Sequence, residues 1–247
     1  MVITSVENEK IKNLVKLQRK KYRDLTGTYL VEGYHLVEEA YKANFVIEIL
    51  ALEGEDIPFD VDITYVSLDV MKKLSTMDTP PNIIGLCRKG NYSIDSNASL
   101  HRLLLLDEIQ DPGNLGTIIR SSVAFGVDMI ILSENTVDLY NPKVLRATQG
   151  MYCHIPIISV DASKAIMFLK NNHYAIYGTN VVNGVDARTL SKDEKEKFCL
   201  IVGNEGKGVR KEIQDMCDKN LYIPMRSEVE SLNVGVACSI LLYELER

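Results

Sequence analysis

Residues Arg102–Ala124 (RLLLLDEIQDPGNLGTIIRSSVA) constrain the fold more than any other stretch of this chain. Four leucines and an aspartate in succession read as a strand buried on both faces, the pattern of a parallel sheet covered on two sides. The turn Asp111-Pro112-Gly113 follows, and a helical pattern then runs from Asn114 through Arg120 toward Gly126. Asn114 is the expected N-cap, its side-chain oxygen accepting a free N–H of the first turn. Arg120 lies less than two turns further on, so it shares one end of the helix with the loop. Open α/β sheets bind ligands outside the carboxyl ends of their strands. This strand end is therefore the expected active site.

The pattern repeats down the chain. Strands at 128–132, 155–158, 174–177, 198–202 and 221–224 alternate with helices at 141–150, 162–170, 209–216 and 232–245. Regular alternation of this kind predicts an α/β fold with a mostly parallel sheet. Before it, a helix over Asn8–Arg23 leads into short strands at 29–31, 46–52, 63–66 and 83–87, with helices at 35–43 and 70–74. That is a smaller α/β domain. The polar stretch Lys89–Ser99 (KGNYSIDSNAS) reads as the junction. The expected division is a domain over 1–90, a linker over 91–100 and a second domain over 101–247.

Charge is distributed unevenly. Residues 1–23 hold seven basic residues against Glu7 and Glu9, a local +5, so the remainder carries −11 of the overall −6. Lys16, Arg19, Lys20, Lys21 and Arg23 form a basic helical segment on an acidic body, a candidate contact for a polyanion. A solvated helix face is the competing reading. The five cysteines form no C-x-x-C pair and the four histidines are scattered, so reduced thiols, a cytoplasmic setting and no metal site are expected. No apolar run is long enough for a membrane span, and MVITSVENEKIKNL lacks the apolar core of a signal peptide.

Two further segments carry polar loops. Gly203–Gly208 (GNEGKG) orders its glycines as G-x-x-G-x-G, which is neither the dinucleotide fingerprint nor a P-loop. Ile223-Pro224-Met225, followed by Ser231-Leu232-Asn233-Val234-Gly235-Val236-Ala237, feeds a last helix. Singly, each has a plain structural explanation: a strand-to-helix turn, a helix cap, or an ion pair between Arg120 and Glu205.

Together, N-L-G-T-I-I-R, I-V-G-N-E-G-K-G and I-P-M … S-L-N-V-G-V-A resemble, in order and spacing, the three motifs of the SpoU (TrmH-type) RNA ribose 2′-O-methyltransferases of the SPOUT superfamily. N-P-K-V-L-R-A-T-Q-G is similar to the family's intervening helix. The resemblance covers about 103–246. The L-V-E-G at Leu30–Gly33, behind a basic helix, resembles the ribosomal-protein-like substrate-binding domain attached to such enzymes.

The resemblance implies a catalytic α/β domain with a trefoil knot, S-adenosylmethionine as cofactor, RNA as substrate and a homodimer. Ribosomal RNA is the expected target, with transfer RNA, or a non-enzymatic RNA-binding role, as alternatives. Carried onto this chain, Asn114, Arg120, Glu205 and Asn233 are the active-site residues. Gly203, Ile223, Leu232 and Thr179 are the cofactor-binding ones. Gly235 stands where many members carry serine. A guanidinium is too hard to deprotonate to act as a base; Arg120 is read as orienting and polarising the reacting hydroxyl.

Overall fold

The computed structural model describes residues 2–96, 100–181 and 184–247; Asn97, Ala98 and Ser99 of the polar junction lie outside the described residues. The chain divides into two compact units. Unit 1 comprises Met1–Asn91 and Asp138–His154, and unit 2 comprises Tyr92–Val137 and Ile155–Arg247.

Unit 1 is built from α1 (Glu9–Lys16), α2 (Lys20–Thr26), β1 (Thr28–Glu32), α3 (Tyr34–Lys42), β2 (Val46–Leu52), β3 (Asp62–Val66), α4 (Leu68–Leu74) and β4 (Ile83–Arg88). Its four strands run in the order β1-β4-β2-β3, with β4 antiparallel to both neighbours and β3 parallel to β2. Ile11, Leu14 and Leu17 pack with Leu50, Val66, Met71 and Ile84 to form one core.

The single helix expected over Asn8–Arg23 is two helices. Leu17 closes α1 in helical geometry, and the chain turns extended at Arg19 before α2 begins. The side chain of Arg23 fills the break, donating Nη1–H to the Leu17 carbonyl at 2.7 Å. A helix end leaves carbonyls without partners, and a guanidinium satisfies one here. Gly27, at φ +67°, ends α2 in the left-handed region that glycine adopts without a Cβ penalty.

The segment Asp138–His154, read from sequence as part of the second domain, packs in unit 1. Tyr29 lies 4.4 Å, centroid to centroid, from Tyr140, and its hydroxyl donates to that of Tyr152 at 3.1 Å. Asp138 pairs with Arg23. The Leu30–Gly33 motif contributes Glu32, which is buried and accepts from Ser75 Oγ and Thr76 Oγ1, both at 2.6 Å. Arg146, on the inserted segment, donates to Thr76 Oγ1 at 2.9 Å.

Unit 2 opens with β5 (Arg102–Asp107), the four-leucine strand, and α5 (Pro112–Ala124). Then come β6 (Met129–Leu132), α6 (Pro142–Thr148, the helix inserted into unit 1), β7 (Ile157–Ser159), α7 (Ala162–Asn171) and β8 (Ala175–Thr179). The chain finishes with β9 (Val185–Asp186), β10 (Phe198–Gly203), α8 (Lys211–Gln214), β11 (Lys219–Tyr222) and α9 (Val234–Glu246). The sheet order is β7-β6-β5-β10-β8-β11-β9 and every pairing is parallel. Each of Leu103–Leu106 is fully buried, as a two-faced strand requires. The two-residue β9 carries too little pattern to be seen in sequence. The helix expected over Val209–Met216 shrinks to one turn, because Val209 and Arg210 are used to close the strand end.

β5 has β6 on one side and β10 on the other, so the strand order switches beside it. Loops leaving β5 and β10 are thereby brought together at their carboxyl ends, where α/β sheets hold ligands.

Candidate active site

The loop after β10 is held by its own atoms. Asn204 and Gly208 exchange backbone hydrogen bonds at 3.0 and 2.9 Å. Asn204 Oδ1 accepts the Gly206 and Lys207 amides at 3.0 and 3.1 Å. Asn204 Nδ2 donates to the Glu108 carbonyl at 2.9 Å, tying the loop to the end of β5. Only glycine fits at 203. A Cβ there would lie 2.1 Å from the Val209 nitrogen and 2.2 Å from the Gly208 carbonyl carbon.

This loop presents Glu205 to the start of α5. Its carboxylate accepts the Asp111 amide at 3.1 Å, the Gln110 amide at 3.3 Å and Asn114 Nδ2 at 3.1 Å. Asn114 Oδ1 in turn accepts from Asn233 Nδ2 at 2.9 Å. Asn233 also caps α9, its Oδ1 taking the Gly235 and Val236 amides at 2.9 and 3.3 Å. Three segments distant in sequence thus meet in one chain of hydrogen bonds, Glu205–Asn114–Asn233. Burial pushes the Glu205 carboxyl up, but hydrogen bonds from its own backbone, Asn114, Asp111 and Gln110 outweigh it. The group is held below the ordinary carboxylate value and is ionised at neutral pH.

Asn114 is not the cap of α5. Asp111 is: its Oδ1 accepts the Asn114 amide at 2.8 Å, and Pro112 takes the first turn, where no amide donor is needed. With Asp111 taking the cap, the Asn114 side chain is left for Glu205. Arg120 is exposed and has no hydrogen bond or ion pair among the described residues, so the structural alternative, a pair with Glu205, is not formed. Asn114 and Arg120 lie six residues apart on α5, less than two turns.

A pocket of about 440 Å³ opens beside this network. Gly203, Ile223, Leu232 and Thr179, the four residues expected at the cofactor, all line it, and so does Glu205. Its apolar wall includes Val202, Leu221 and Leu241, and Lys207 and Glu230 stand among its polar groups. Small-molecule pockets of roughly 300–1,000 Å³ combine an apolar body with a few placed polar groups in this way.

Sequence reasoning missed the foundation of the site. Asp107 is fully buried at the end of β5. It receives Arg210 Nε and Nη2 at 2.9 and 2.7 Å on Oδ1, and the Arg210 amide at 3.0 Å on Oδ2. This bidentate pair fastens the chain just past the glycine loop to the strand beside it. The signal was an aspartate ending a run of four leucines, a polar group in an apolar run that demands a partner.

Of the residues expected to bind RNA, Lys16, Arg19, Lys20 and Lys21 are exposed. Lys16 reaches Asn13 Oδ1 at 2.8 Å. Arg23 is corrected: its side chain is 5% exposed and pairs with Asp138, so it serves the interior of unit 1 and not a phosphate. Tyr29 is likewise buried. His35, Glu38 and Glu39 cluster on unit 1, but each is engaged: Glu39 with His154 at 2.6 Å, Glu38 with Lys42 at 3.1 Å, His35 with the Gln149 carbonyl at 3.1 Å. Among the described residues no helix is long and apolar enough to cross a membrane.

The SpoU rRNA Methylase family matches residues 101–243, and the MRM3-like substrate binding domain matches residues 8–85. The chain belongs to the SpoU rRNA methylase family. More particularly, it is 39% identical over 248 residues, 98% of either chain, to a Bacillus subtilis (strain 168) protein named 23S rRNA (guanosine(2553)-2′-O)-methyltransferase RlmP. Among solved structures it is similar to the AdoMet-bound rRNA methyltransferase from Sinorhizobium meliloti, at 27% identity and a TM-score of 0.88 over 99% of this chain and 97% of that one. It is also similar to an RNA 2′-O ribose methyltransferase, at 28% identity and a TM-score of 0.81 over 99% and 98%.

Proposed function

We propose that this chain methylates a ribose 2′-hydroxyl of ribosomal RNA, using S-adenosylmethionine. The observation that carries this reading is the Glu205–Asn114–Asn233 network on the rim of the glycine-loop pocket, with an unpaired arginine less than two turns along α5. The Bacillus relative's named substrate, a guanosine of 23S ribosomal RNA, makes the large-subunit RNA the first to try.

S-adenosylmethionine, when bound, supplies a methyl group already electrophilic on its sulfonium. What remains for the protein is alignment of the 2′-oxygen for in-line attack. Gly203, Thr179, Ile223 and Leu232 hold the cofactor, chiefly through loop backbone. Arg120 directs its fork of N–H donors to the 2′-oxygen and the adjacent phosphate, stabilising the charge that develops as the hydroxyl proton leaves. Glu205, ionised, fixes the Asn114 amide, and Asn114 and Asn233 fix each other.

Unit 1 contributes Lys16, Arg19, Lys20 and Lys21 as a phosphate contact without sequence preference. In this reading Met1–Asn91 together with Asp138–His154 holds RNA, and the rest of the chain carries the reaction. The active form is a homodimer, formed through the exposed stripe Val236, Ile240 and Tyr243 on α9. The trefoil knot belongs to the same reading and is supported by β10 returning between β5 and β8. Five free cysteines suit a cytoplasmic enzyme.

The test is methyl transfer from labelled S-adenosylmethionine to ribosomal RNA from cells lacking this protein, followed by mapping of ribose methylation. One 2′-O-methylated nucleotide is the expected product. Absence of transfer to both naked RNA and ribosomal precursors, with no cofactor bound, overturns the proposal.

A further inference from the structure

α5 and α9 run side by side in register. Asn114 meets Asn233, and Ser121 Oγ meets Ser239 Oγ at 2.6 Å. One turn further, Phe125 packs edge-on against Tyr243 with centroids 5.7 Å apart. Between the asparagine pair and the serine pair, Thr117 faces Gly235. A Cβ at 235 would lie 3.2 Å from the Thr117 methyl carbon Cγ2 and 3.3 Å from its Cβ, closer than side chains normally pack. The absence of a side chain at 235 is what lets the Thr117 methyl seat on α9.

That seating decides where the Thr117 hydroxyl goes. Hydroxyls inside helices commonly turn back to the carbonyl four residues earlier. Ser122 does so to Ile118 at 2.8 Å, Ser239 to Gly235 at 2.6 Å and Thr26 to Tyr22 at 2.9 Å. Thr117 makes no such bond, and its hydroxyl has no partner among the described residues. A β-branched side chain has few χ1 choices, so a methyl committed to Gly235 commits the hydroxyl as well. Thr117 is exposed, and it lies one turn from Asn114 and one turn from Arg120 on the same side of α5.

We infer that Thr117 is a substrate-contacting residue of this enzyme. Its hydroxyl donates to an oxygen of the target nucleotide's sugar–phosphate backbone, beside the oxygens Arg120 holds, and Gly235 sets the rotamer that makes it available. This rests on the assignment of Asn114 and Arg120 to the active site.

Thr117→Val keeps the methyl contact and removes only the hydroxyl; Thr117→Ser keeps the hydroxyl. With ribosomal RNA from cells lacking the protein as varied substrate, T117V is expected to lose about tenfold in kcat/KM, the scale of one hydrogen bond to a charged acceptor. T117S, which keeps the hydroxyl but loses the methyl that orients it, should fall between T117V and the wild type. The Kd for S-adenosylmethionine and the melting temperature should be unmoved in both. Wild-type kcat/KM in T117V overturns the inference. So does an equal loss in T117V and T117S, or weaker cofactor binding in T117V, since either marks a packing role. Arg120→Lys, run alongside, separates the layers. Its collapse with T117V unchanged overturns this inference alone, whereas normal turnover by both removes the active-site assignment beneath it.

Discussion

The two units use arginine in opposite ways. In unit 1, Arg23 and Arg146 are closed on partners: Arg23 on Asp138 and the Leu17 carbonyl, Arg146 on Thr76 beside the buried Glu32. In unit 2, Arg210 is closed in the same manner on Asp107, but Arg120, on the helix whose Asn114 joins the Glu205 network, is left open. The closed arginines answer buried groups: the Arg23 side chain is itself 5% exposed, and the Asp107 and Glu32 carboxylates met by Arg210 and Arg146 are 0% and 4% exposed, although those two arginine side chains are 34% and 30% exposed. A guanidinium taken out of water must be met by carbonyls and carboxylates, and those partners then exclude any ligand. One kept in water at the edge of a polar network needs no partner of its own and remains available. Sequence counts both kinds alike, which is why Arg23 reads as an RNA contact and is not one.

The sharpest way to break this comparison is to remove the open arginine and a closed pair separately. Arg120→Lys keeps the charge and loses the planar fork. Turnover is expected to fall roughly 10²–10³-fold, the scale of losing a donor aimed at developing charge, with the melting temperature unchanged. Near-normal turnover would place the fork outside the chemistry. Asp138→Ala should do the reverse. It strands the Arg23 guanidinium in the core, where the Nε already lacks a partner, and is expected to cost about 3 kcal/mol of stability. Thermal or denaturant unfolding measures it. Loss of less than about 1 kcal/mol would show the pair to be a surface contact.

How much of this was legible beforehand follows the same line. The parallel sheet was, because four leucines in a row have few other uses. So was the grouping of Gly203, Ile223 and Leu232, since the loops after β10 and β11 carry recognisable residues. The break in the first helix was not, because nothing local ends α1: the Arg23 side chain, six residues downstream of Leu17, satisfies its last turn. Nor was the move of Asp138–His154 into unit 1. Asn141-Pro142 announces a helix start correctly, with Asn141 capping the Lys143 amide at 2.9 Å, but a cap does not say what the helix packs on. The N-cap of α5 was misread by three residues, because Asp111 and Asn114 are both good caps and only the Glu205 carboxylate decides between them.

A smaller effect is expected from the basic segment. Replacing Arg19, Lys20 and Lys21 together by glutamine removes three exposed cations that have no side-chain partner among the described residues. RNA binding should weaken about tenfold, and the slope of log affinity against log salt should become shallower by about 2. Cofactor affinity and melting temperature should stay as they are. An equal loss of cofactor binding would make the segment structural, like Arg23.

The smallest effect is on Glu205, and it tests whether the network has the polarity assigned to it. Hydrogen bonds from its own backbone, Asn114, Asp111 and Gln110 hold its pKa below the ordinary value despite partial desolvation by neighbouring atoms. A carboxyl lowered in the folded state contributes stability that is fully present above its unfolded pKa, about 4.3. That contribution fades as pH falls through the lower, folded value. Because Glu205 is exposed, solvent screening keeps it small. A titration of the Glu205 side chain by NMR should give a midpoint below the ordinary one, and Asn114→Ala should move it up by withdrawing one donor. A midpoint at or above the ordinary value would mean that desolvation wins. Glu205 would then hold a proton further toward neutrality, and its hydrogen bonds could not be what fixes the Asn114 amide in the working enzyme.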